Sequence, residues 1–182
     1  MKKLLVVFLA VGLLGSVAYA ASTADITVTV KIQKLSVAVS PSSYDFGTMT
    51  AGGNSVSDSF IAVTNDGNVT EKFQLSVVSE PNGTWNSVTA SAPGAEEYRI
   101  SGIFKTNAPI AGNFLASDSF SVSAARVATA TDLALDADAD GEKGFSVTES
   151  AARKLWFKLE APSSTVITTQ QSITVRVTAQ VN

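Results

Sequence analysis

The 182-residue sequence contains no cysteine and no histidine. Without cysteine no disulfide can staple the fold, so stability has to come from burial and sheet hydrogen bonding. The lipoprotein route, which needs a cysteine, is closed as well. Without histidine the commonest general base and the commonest transition-metal ligand are both missing, which argues against a zinc or copper centre. Charge is sparse at 16% of residues, with 13 basic against 16 acidic. A basic face for nucleic acid or an anionic membrane is therefore not expected. No Gly-x-Ser-x-Gly motif accompanies the many serines, and no histidine could activate one. A serine–lysine arrangement has no positive support. The composition points away from an enzyme.

The amino terminus has the form of an export signal. Lys2-Lys3 is a basic start, Leu4 to Leu14 is an apolar run, and Ala18-Tyr19-Ala20 is a small-x-small cleavage site. The apolar run is too short for a spanning helix. Cleavage after residue 20 would leave 162 residues, enough for one domain with a proper core. Loss of both signal lysines would leave 11 basic residues against 16 acidic, a net charge of −5. The reading is residues 1–20 as signal peptide and 21–182 as a single exported domain, secreted to the exterior, the cell surface or the periplasm, with no membrane span after cleavage.

Period-two alternation dominates the rest of the chain. Ile26, Val28, Val30 and Ile32 alternate with Thr27, Thr29 and Lys31. Gln33-Lys34 shifts the phase, and Leu35, Val37 and Val39 resume it, so 25–40 is expected as one strand with a bulge or a crossing between sheets. Tyr44 to Val77 reads strand, turn, strand, turn, strand. Asp66-Gly67 is expected to form a tight hairpin with positive φ. Tyr98, Ile100, Ile103 and Phe104 form a further apolar set with Gly102 at a bulge. Residues 105–150 are an irregular, loop-rich insertion in which Ala124–Ala130 fits helix or strand equally. Leu155, Phe157 and Leu159 share a strand face, which leaves Trp156 on the other side. Ser172–Val181 alternates throughout, and its Ile-Thr-Val-Arg-Val echoes the Ile-Thr-Val-Thr-Val of residues 26–30. The pattern predicts an all-β fold, an antiparallel immunoglobulin-like β-sandwich of about eight to ten strands.

Chemistry-bearing candidates are few. Asp136, Asp138 and Asp140 followed by Gly141 match the opening half of a calcium loop, with carboxylates at alternate positions and glycine at the sharp turn. Glu142 would offer its backbone carbonyl. Position twelve is Val147, so a closing carboxylate would come from Glu149 or from Asp132. The expected ion is a structural calcium. Glu96, Glu97 and Glu160 do not fall into the paired arrangement glycoside hydrolysis needs. Trp85, Trp156, Tyr44, Tyr98 and Phe104 raise the alternative of a polysaccharide-stacking platform, although strand aromatics more often pack inside. Lys31 or Lys34 with Asn182 would be the partners of an isopeptide cross-link.

Asp45-Phe46-Gly47, Gly52-Gly53 and Val63-Thr64-Asn65-Asp66-Gly67-Asn68 resemble the pattern of bacterial secreted immunoglobulin-like domains, the kind found in cell-surface and choice-of-anchor proteins. The resemblance covers roughly a fifth of the chain and marks a fold rather than an activity. It implies an antiparallel sandwich at the cell exterior. Together these readings predict a non-catalytic structural or surface protein, a subunit of an extracellular layer, fibre or matrix. It would associate with itself or a surface partner by strand pairing, the amino-terminal strand being the donor. The alternative is a carbohydrate- or ligand-binding sandwich, calcium-assisted.

Overall fold

The computed structural model describes residues 23–81, 85–134 and 143–182. The chain divides into two units, one ending at Lys31 and the other running from Ile32 to Asn182. In the first, residues 23–31 are exposed and belong to no strand or helix.

The second unit carries ten strands among the described residues, arranged in two open sheets. The larger sheet runs β1 (Val37–Ser40), β3 (Ile61–Asn65), β9 (Ala152–Glu160), β6 (Glu97–Phe104), β5 (Asn86–Ser87). β2 (Asn54–Val56) shares an edge of β9 with β3, and β7 (Ser119–Phe120) shares an edge of β6 with β5. The smaller sheet is β10 (Val175–Val181), β4 (Glu71–Val77), β8 (Arg126–Val127). Every pairing of these strands is antiparallel except β5 with β6. No helix of the described residues is long and apolar enough to cross a membrane.

Side-chain alternation builds the core between the sheets. On β4, Glu71, Phe73, Leu75 and Val77 are buried while Lys72, Gln74 and Ser76 are half-exposed. Leu155, Phe157 and Leu159 of β9 enter the same core, as their spacing predicts, and meet Tyr98, Ile100 and Phe104 of β6. Val175 and Val177 pack on it from β10. A second, smaller cluster lies on the far side of β6 and β9, where Ile103 and Trp156 are covered by Phe114 from the loop after β6. Trp156 is therefore buried together with Phe157, although the two point to opposite faces. Its indole nitrogen donates to the Lys105 carbonyl at 2.8 Å. The described residues between 105 and 150 contribute to this core. Phe120, Ala128, Leu133 and Val147 are all core, and the Ala124–Ala130 stretch is extended around β8.

Several expectations need correction. The run 25–40 is a strand only over Val37–Ser40. Asp45-Phe46-Gly47 is not a strand. β3 and β4 are consecutive yet lie in different sheets, so Asp66-Gly67 makes a crossing rather than a hairpin, and Gly67 does not have positive φ. Gly67 is needed for space instead, because a Cβ there would run into Lys34 O and Glu71 Oε1. Gly102 is no bulge either: the β6–β9 register runs unbroken from Arg99↔Glu160 to Phe104↔Leu155. A Cβ at Gly102 would meet Leu75 Cδ1 at 2.7 Å, so the two sheets require its absence.

Candidate functional site: a clasped root and an open sheet edge

Among the described residues, no three Asp, Glu, His or Cys side chains gather in a way that could hold a metal. Asp136, Asp138, Asp140 and Glu142 lie outside the described residues. Of the proposed closing groups, Glu149 is exposed and Asp132 half-exposed, and each belongs to a turn. The glutamates serve as local ties. Glu160 pairs with Arg99 at 2.5 Å and with Lys158 at 2.6 Å. Glu97 accepts the Gly94 amide at 2.8 Å. Glu96 accepts the Thr165 hydroxyl and the Val166 amide, both at 2.7 Å. Those two bonds, the hydroxyl first, hold its carboxyl below the ordinary value. Burial, reinforced by the charge of Glu80, pushes the Tyr98 phenol well above its usual range, so it stays neutral.

The aromatic candidates do not form an exposed platform. Tyr98, Phe104 and Trp156 are buried, and Tyr44 and Trp85 pack against the core. Asn182 binds Ser146 through both ends of its amide, at 3.2 Å to the backbone nitrogen and 2.9 Å to Oγ. A shallow, open depression of about 260 Å³ lies between the Phe46–Thr50 loop and β2, and no ionisable side chain lines it.

Two features stand apart from this scaffolding. The first is a clasp built by the turn after β3. Asn68 accepts the Lys34 amide at 2.8 Å and donates to the Ile32 carbonyl at 2.8 Å. The Asn68 amide reaches Lys34 O at 3.0 Å, and the Asp66 amide reaches Ser36 O at 2.8 Å. Beneath them, Glu71 is fully buried and accepts the Ser36 amide at 2.9 Å. Asn65 holds the turn from inside, accepting from Gly67 N and donating to the Val69 and Val147 carbonyls. The motif Val63–Asn68 thus grips residues 32–36, and Gly67 leaves room for that grip. Sequence reasoning saw the motif as a hairpin marker and missed this role. The signal was there in Asn65, Gly67 and Asn68, three residues suited to close backbone contact.

The second feature is an exposed apolar row beside the clasp in sequence. Ile26 and Val28 are 87% exposed, Val30 83% and Ile32 75%. Isolated exposed aliphatics are ordinary, but four at strand spacing have the pattern of one strand face, here on residues that form no strand. The folded unit in turn offers an unpaired sheet edge. The Thr174 carbonyl receives the Val78 amide, and the Asn182 amide reaches Thr70 O. Antiparallel alternation then directs the backbone of Arg176, Thr178 and Gln180 toward β4. It directs the N–H and C=O groups of Val175, Val177, Ala179 and Val181 outward, where no described residue pairs with them. Val181 is also 50% exposed. No family model, curated protein or solved structure matches this chain.

Proposed function

We propose that this protein is an exported, non-catalytic structural subunit that assembles into an extracellular layer, fibre or matrix by strand pairing between copies. The observation carrying this reading is the exposed row Ile26, Val28, Val30, Ile32, four aliphatics at strand spacing that pair with no strand among the described residues. Burying each such aliphatic returns about 1.5–3 kcal/mol, and pairing satisfies a backbone that otherwise depends on water. The export signal at residues 1–20 supplies the compartment, and cleavage after Ala20 would leave the row close to the new amino terminus. The Asp136–Gly141 stretch, with Glu142 and Glu149, is proposed to bind a structural calcium that orders its loop.

The test is assembly of the mature protein at high concentration, with and without calcium, followed by sedimentation and negative-stain imaging. Regular polymers that vanish when Val28 and Val30 are both replaced by lysine are expected. Monomers under every condition would refute the reading. A melt unaffected by chelator would remove the calcium part alone.

A further inference from the structure

We infer that the outer edge of β10, Val175–Val181, is the acceptor site for the amino-terminal segment Asp25–Ile32 of a second copy. The inference rests on the assembly reading above and adds the place, the partner segment and the stoichiometry: one segment to one edge.

Length selects this edge. Pairing of Asp25–Ile32 needs an acceptor of about 25 Å at strand rise. β5, β7 and β8 are each two residues long, and β1 is four. β10 is seven residues long, and its outward side carries the four free backbone positions at Val175, Val177, Ala179 and Val181. Side-chain chemistry agrees. The inner row of β10 is apolar and only half-covered, with Val175 and Val177 on the core and Val181 open. The outer row is polar, with Arg176, Thr178 and Gln180. The segment has the same two rows, Ile26, Val28, Val30 and Ile32 against Thr27, Thr29 and Lys31. Laid beside β10, its apolar row continues the core and its polar row continues the solvent face.

Exposure of Ile26, Val28, Val30 and Ile32 in the single chain favours a second copy as the source of the segment, and the clasp marks where that segment is anchored. Asn68 fixes Ile32 and Lys34 at the turn between β3 and β4, and β10 finishes at that same end, with Asn182 bound to Thr70. Each copy then gives one segment and receives one, a head-to-tail contact that propagates.

The absence of native cysteine makes the test clean. Thr29 and Thr178 lie at the centres of the two strands, so T29C and T178C meet whichever way the strands run. Thr178 turns its own backbone toward β4, leaving close side-chain approach on the outer side. Chains carrying T29C are mixed with differently tagged chains carrying T178C or, as the competing edge, N86C on β5, then oxidised under assembly conditions. Cross-linking to T178C at least tenfold above N86C is expected, with cross-linked polymers of unchanged appearance. Polymers that form but cross-link at N86C, or at neither position, would overturn the acceptor assignment while leaving the assembly reading intact. Failure of the unsubstituted protein to polymerise would overturn both. In the T29C/T178C double variant, a linked monomer in place of linked oligomers would overturn the second-copy assignment.

Discussion

Residues 26–30 and 173–177 carry nearly the same strand sequence and meet opposite fates. Ile173–Val177 reads Ile-Thr-Val-Arg-Val, and Val175 onward pairs along the whole of β4 with Val175 and Val177 on the core. Ile26–Val30 reads Ile-Thr-Val-Thr-Val and stands exposed without a partner among the described residues. Alternation of β-branched and polar residues therefore specifies the ability to be a strand, and the partner comes from elsewhere. For β10 the partner is β4, a strand whose own alternate residues are buried. For the amino-terminal row the missing partner is the basis of the assembly reading.

The comparison can be broken by substitution, beginning inside β4. Leu75→Ala removes a fully buried side chain that packs beside Gly102, and should cost about 2–5 kcal/mol in a denaturant titration. Gly67→Ala drives a methyl into Lys34 O and Glu71 Oε1. It should cost about 1–3 kcal/mol and raise protease cleavage near residues 32–36, because the clasp opens. The matched pair comes next. Val177→Ala should cost about 1 kcal/mol from a half-covered core position, whereas Val28→Ala should leave monomer stability within about 0.5 kcal/mol. Equal losses at the two sites would mean that residues 25–32 already have a partner in the monomer.

The smallest effect is electrostatic and concerns Glu96, which ties the 164–166 loop to the start of β6. Its carboxyl is held below the ordinary value of 4.5 by Thr165 and Val166. A depressed folded value means the contribution is fully present above the unfolded value and is lost as pH falls through the folded one. Proteolysis at residues 164–170 should thus rise below about pH 4.5. Glu96→Gln should flatten that dependence by raising cleavage at neutral pH toward the acid level, because the amide has one acceptor oxygen where the carboxylate uses two.

Much of the scaffold was legible in the sequence because period two reports burial directly. The faces of β4, β9 and β10 follow from spacing alone. Errors arose where one residue type serves two physical ends. Asp66-Gly67 and Gly102 were read through the conformational freedom of glycine, yet both glycines are required because a neighbouring atom occupies the space of a Cβ. Burial of Trp156 was hidden because the covering Phe114 sits in a loop with no periodicity. The clasp was hidden because Asn68 acts on residues more than thirty positions away. The open edge was invisible for a related reason, since which side of β10 stays unpaired depends on the order of strands in the sheet.

Hydrogen exchange on the mature protein, compared between dilute monomer and assembled material, tests the central claim most directly. The account predicts rapid exchange in the monomer for amides across residues 26–32 and for Val175, Val177, Ala179 and Val181. In the assembly both sets should slow together by roughly a hundredfold or more, the protection expected when open backbone groups enter a stable ladder, while the amides of β4 are slow in both. Assemblies in which residues 26–32 still exchange at the monomer rate would contradict it.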